Sequence, residues 1–171
     1  MKKLALCAIL AALALGLSTL ESLFPITLLV PLPGVKLGLA NIVTVFALYE
    51  LGAGAALAIL VTRCLLGGLF SGTATALLFS LLGGLCAMCI MILLKRSRRL
   101  SIYGVSIGGA AAHNVGQILA AIITLGNTMV AGYLPFLLAV ALLTGSLTGF
   151  VVSLLLRATA HLHLTDPSDF R

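Results

Sequence analysis

The sequence predicts an all-α integral membrane protein with six transmembrane helices, and three observations carry that expectation. The first is composition. Of 171 residues, 61% are hydrophobic and 8% charged, with a mean hydropathy of +1.26, whereas about a quarter of a soluble domain is charged. The second is the length of the apolar runs, several of which reach the roughly 20 residues that cross a bilayer. The third is the placement of charge. The net charge is +6, yet Lys2, Lys3, Lys95, Arg96, Arg98 and Arg99 all lie at the ends of apolar runs. Positive charge there sets topology, and no basic face with interleaved aromatics points to nucleic acid. The length leaves one transmembrane domain and no soluble catalytic domain.

A first helix is expected over about 3–23. Its start imitates a signal peptide, but Ser18-Thr19-Leu20-Glu21 gives no small-x-small cleavage site and further spans follow, so it reads as an uncleaved helix. Ala8 and Ala12 give it a small-residue pair of the kind that lets helices approach closely in lipid, within the chain or outside it. Residues 24–35 hold three prolines among apolar residues. No helix continues through them, and an apolar loop at a membrane face is a candidate lid. Helices 2, 3 and 4 are expected over about 36–51, 53–69 and 73–94, broken by Gly52-Ala53-Gly54 and by Gly67-Gly68 through Gly72. The charge run 95–99 precedes helix 5 over about 103–125. Gly126-Asn127-Thr128 separates it from helix 6 over about 133–156, and a polar tail covers 157–171.

Six crossings put both termini on one side. Lys2, Lys3, the 95–99 run and Arg157 then share that side, which the positive-inside rule makes cytoplasmic. The expected location is the cytoplasmic membrane, with multiple passes. Cys7, Cys64, Cys86 and Cys89 all fall inside apolar segments and read as small hydrophobes, because Cys86-Ala87-Met88-Cys89 lacks the strand-to-helix setting of a redox motif.

Few polar residues enter the spans, and those few form the candidate site. Arg63 is about 15 Å into helix 3, near mid-membrane, where an arginine costs roughly 2.5–3.5 kcal/mol. Three readings stand: it faces a ligand, it pairs with Glu21 from the outer end of helix 1, or it snorkels outward. Helix 5 carries Ser106, His113, Gln117 and Thr124 on one stripe, with Asn114 beside it. This stripe either lines a site or bonds neighbouring helices, and a histidine without acidic or thiol neighbours makes a poor metal site. Lys36, Asn41 and Thr44 belong to the start of helix 2, and Lys36 is equally an interfacial anchor. Two cations and several neutral donors suit an anion such as phosphate, which arginine grips bidentately. Against catalysis, Glu21, Glu50, Asp166 and Asp169 are the only acidic residues. They form no paired-Asp magnesium motif, and no phosphate loop or triad occurs.

At these residues the chain resembles a known family. Pro33-Gly34-Val35-Lys36-Leu37-Gly38-Leu39-Ala40-Asn41, Arg63 with Gly67-Gly68, and Ala112-His113-Asn114-Val115-Gly116-Gln117 resemble the Gx transporter family, also labelled heptaprenyl diphosphate synthase component I, over about residues 3–157. The family is similar to the six-helix S components of energy-coupling-factor vitamin transporters. The resemblance implies an S-component-like bundle that is not an enzyme, with a flavin (FMN, FAD or riboflavin) as transported ligand rather than catalytic cofactor. It implies a pocket lined by Lys36, Asn41, Arg63, His113, Asn114 and Gln117; the residues themselves add Glu21 and Thr44 as further candidates. It also implies a coupling membrane subunit docked on the Ala8/Ala12 face. Two alternatives stay open: an accessory subunit of a prenyl diphosphate synthase, and a transporter of another vitamin-sized solute.

Overall fold

The computed structural model describes residues 2–23, 38–97 and 100–160. Among them are six α-helices and no strand: α1 (Lys2–Leu23), α2 (Asn41–Glu50), α3 (Ala53–Ser71), α4 (Ala74–Arg96), α5 (Ile102–Leu125) and α6 (Leu134–Thr159). A 3-10 helix, Thr128–Tyr133, leads into α6. The loop expected as a lid at 24–35, and Lys36 after it, lie outside the described residues.

Five of the helices are long and apolar enough to cross a membrane. The sixth, α2, is not. Its 10 residues rise about 15 Å, half of a hydrocarbon core about 30 Å thick. The expected helix from 36 therefore starts late, and Gly38 is the reason. Its φ of +87° is a conformation that side-chain-bearing residues rarely adopt. The turn it makes is closed by the Asn41 N–H donating to the Gly38 carbonyl at 2.8 Å. At the other end the Leu51 N–H donates to Ala47 O at 2.8 Å, and α3 begins two residues later.

The orphan carbonyls at the C-terminus of α2 draw a cation, as a helix dipole favours. Lys95, in the last turn of α4, donates to the Leu48 carbonyl at 2.6 Å, with its ammonium 4.8 Å from the centre of the Tyr49 ring. This contact brings the C-termini of α2 and α4 to one end of the bundle, the end that carries the charge run.

α5 lies between α4 and α6, and backbone meets backbone on both sides. A Cβ at Gly116 would sit 2.6 Å from the Leu82 carbonyl of α4, and one at Gly145 of α6 would sit 2.6 Å from Ile107 Cα of α5. Small residues at such crossings are how helices gain van der Waals contact in lipid. Between α1, α2, α3 and α4 the packing is instead by side chains, with Leu48, Ile59, Leu60, Met88 and Met91 fully buried. Leucines and phenylalanines such as Leu69, Phe70, Phe136 and Leu143 cover the outside, as a bilayer requires.

α1 turns Leu10, Ala11, Ala14, Ser18 and Glu21 inward and packs mainly against α3. Ala8, Ala12 and Gly16, one turn apart, all face outward. Among the described residues, the small-residue pair read from the sequence is not used for packing. The four cysteines are free thiols, and Cys64 donates a weak bond to the Ser80 carbonyl at 3.4 Å.

Candidate functional site

α2 ends inside the bundle, and the chain's buried polar groups collect at that end. Arg63 is the eleventh residue of α3 and Asn41 the first of α2, so both stand ~15 Å from the turn that joins the two helices. The Arg63 Nη2 donates to Asn41 Oδ1 at 3.4 Å, a long bond. From α1, the Glu21 carboxylate accepts the Gly38 N–H through Oε1, beside the positive end of the α2 dipole. Arg63 is 5% exposed and Glu21 3%, so both ionisable groups are withdrawn from solvent and lipid alike.

α4 and α5 complete the enclosure. His113 and Gln117, one turn apart on α5, face Gly83 of α4, where a Cβ would lie 2.9 Å from the His113 ring and 3.2 Å from the Gln117 side chain. Glycine at 83 is what gives the imidazole room. Between Ser18, Glu21 and Gly38 on one side and Arg63, Ser80, His113 and Gln117 on the other is a cavity of about 10 Å³, room for a single water. Two buried polar atoms around it lack a partner among the described residues, the donor Arg63 Nε and the acceptor Gln117 Oε1.

The sequence-predicted residues thus separate into groups. Glu21, Arg63, His113 and Gln117 line one cavity, and Asn41 supports Arg63 from α2. Asn114 turns the other way and donates to the Leu137 carbonyl of α6 at 2.7 Å. Thr44 returns its hydroxyl to the Ala40 carbonyl of its own helix at 3.3 Å. Lys36 is outside the described residues.

The α5 stripe divides in the same way. Ser106 is buried against Gly149 of α6, and Thr124 donates back to Ala120 at 2.9 Å. Ser18, Gly38 and Ser80 line the cavity although the sequence reading did not select them. Ser18 stands three residues before Glu21, on the same helix face, and that spacing was the available signal. No cluster of His, Cys, Asp and Glu that could hold a metal occurs among the described residues.

A family model described as heptaprenyl diphosphate synthase component I matches residues 10–155. No curated protein and no solved structure matches the chain.

If Glu21 and Arg63 balance each other in this enclosure, removing either leaves a buried charge unmet. Glu21→Gln and Arg63→Met should each cost about 3–5 kcal/mol of stability, and the double substitution clearly less than their sum. Thermal melts of the three variants measure the coupling. Losses that simply add would show that the two charges act independently.

Proposed function

The chain belongs to the heptaprenyl diphosphate synthase component I family, and from that premise we propose that it is a non-catalytic membrane component that binds a flavin and carries it across the cytoplasmic membrane. The observation behind this reading is Arg63, a charged side chain with an unpartnered Nε, buried beside Asn41, His113 and Gln117 at the end of a half-length helix. Discontinuous helices that end at mid-membrane, with their N-termini toward an anionic group, are a recurring means of solute binding in transporters. An intramembrane arginine of this kind is costly unless it is used. FMN or FAD offers a phosphate to the guanidinium. The amides of Gln117 and Asn41 and the His113 ring suit the hydrogen-bonding edge of the isoalloxazine.

The cavity of about 10 Å³ is far below the roughly 300 Å³ at which ligand pockets begin. Binding therefore extends beyond it and requires neighbouring elements to part.

In this reading the bundle is of the S-component type, crosses six times and has both termini in the cytoplasm. Lys95 supports the orientation, because it ties the inner end of α4 to the end of α2, with Arg96 following. Labelling of Ser97→Cys by a membrane-impermeant thiol reagent from outside the cell would sink it, and Thr128→Cys should be the one labelled. The outward-facing Ala8 and Ala12 offer a coupling membrane subunit a close approach.

The family's printed description favours a second reading, a membrane accessory subunit of a prenyl diphosphate synthase. There a prenyl diphosphate would meet the same arginine. Transport of another vitamin-sized solute is the remaining alternative.

Binding measurements separate these. Arg63→Ala, made in the Glu21→Gln background so that no lone charge is buried, should weaken FMN by on the order of 1.5–3 kcal/mol relative to Glu21→Gln alone. That is roughly ten- to a hundredfold, and riboflavin should change little. Flavin fluorescence quenching gives both affinities. Equal affinities of the two proteins for FMN would end the phosphate role of Arg63, and binding of farnesyl diphosphate without any flavin would favour the second reading.

A further inference from the structure

The α-helices carry three carboxamides, Asn41, Asn114 and Gln117, and two of them have work within the fold. Asn41 accepts from Arg63 Nη2 at 3.4 Å. Asn114 donates to the Leu137 carbonyl at 2.7 Å. Gln117 is the most deeply buried, 1% exposed against 6% for each of the others, and it differs from both. Its Oε1 has no hydrogen-bond partner, and among the described residues its amide nitrogen has none either. Turning the amide over leaves both ends as bare as before.

A buried carboxamide with neither end bonded is costly, whereas an apolar side chain of the same size carries no such cost. Room has nonetheless been kept for it. A Cβ at Gly83 of α4 would lie 3.2 Å from the Gln117 side chain, and Gln117 lines the cavity that Arg63 also lines. A partner from outside the chain must offer a donor to the oxygen and an acceptor to the nitrogen, side by side. A cyclic amide or imide does this with one edge, an N–H next to a carbonyl. An ionised diphosphate offers acceptors alone and leaves the oxygen bare.

We propose that Gln117 is a specificity-determining residue of this site, and that it selects ligands by a cyclic amide or imide edge. In a flavin that edge is the N3–H between two ring carbonyls. The inference rests on the flavin reading and adds to it the group that reads the ring. Arg63, from α3, is left for a phosphate at the far end of the ribityl chain. Two consequences follow from one bare carboxamide. A ligand without the N–H leaves a buried acceptor unpaired, and sites of this kind reject such analogues strongly. In the absence of ligand the same group weakens the fold, so an apolar replacement of equal length should not lower stability.

The test uses the full chain in lipid nanodiscs, with riboflavin and N3-methylriboflavin as probes of binding by fluorescence quenching. Neither carries a phosphate, so Arg63 does not enter the comparison. Wild type should prefer riboflavin by at least about a hundredfold. Gln117→Met and Gln117→Ala should each bind riboflavin at least about tenfold more weakly than wild type. In Gln117→Ala, which leaves space for the added methyl, the preference should fall to about one. Without ligand, Gln117→Met should melt no lower than wild type. Equal affinities of wild type for the two probes, or a preference that survives in Gln117→Ala, overturns the role of Gln117 and leaves the flavin reading standing. A Gln117→Met protein that fails to fold or melts well below wild type also overturns it, because the carboxamide is then a structural group satisfied within the bundle or by trapped water. Where Gln117→Ala does not fold, the riboflavin affinity of Gln117→Met decides: unchanged affinity overturns the inference. Wild type that binds neither probe overturns the flavin reading, and the inference with it.

Discussion

One buried cation, Arg63, sets the terms for the rest of this bundle. A guanidinium near mid-membrane must be met by charge or by hydrogen bonds. The chain meets it by starting one short helix, α2, inside the bundle. Gly38 turns the backbone at φ +87°, so α2 begins at Asn41 with its amide on the arginine and its positive end near Glu21. The same device needs an anchor at the opposite end of α2, and Lys95 supplies it through the Leu48 carbonyl. A short helix that would be marginal by itself is thus fixed at both ends by charged side chains of its neighbours.

The two sides of the cavity differ in how they are held. α4, α5 and α6 touch backbone to backbone at Gly116 and Gly145, contacts that leave no slack for sliding. α1 and α2 meet α3 through side chains such as Leu10, Ala14, Val45 and Leu48, which can repack. If neighbouring elements part to admit a ligand, the first trio is the frame, and α1 and the start of α2 are the elements free to separate from it.

Much of this was legible in the sequence, because few polar residues occur in so apolar a chain and each needs a partner. Arg63, His113 and Gln117 stood out as isolated polar residues in apolar runs, and they line one cavity with Glu21. What the sequence did not show was direction. Asn114 is adjacent to His113 but about 100° around the helix, and it satisfies α6 at Leu137 instead. The sequence reading started α2 at Lys36 because the breakers Pro31, Pro33 and Gly34 end just before it, whereas α2 begins at Asn41. Periodicity is blind to a glycine whose φ is positive, and Gly38 breaks the helix there. Ser80 and Gly83 gave no signal of their own. Their part follows from the crossing of α4 and α5, which is a tertiary fact.

The central claim is that this polar enclosure is a flavin site, and the visible absorption spectrum of the purified protein tests it most directly. The chain is isolated in mild detergent from flavin-replete cells, then incubated with FMN and desalted. The account predicts a yellow protein with the flavin absorption band in stoichiometric amount, released on denaturation. A colourless protein that retains no flavin after incubation would contradict it.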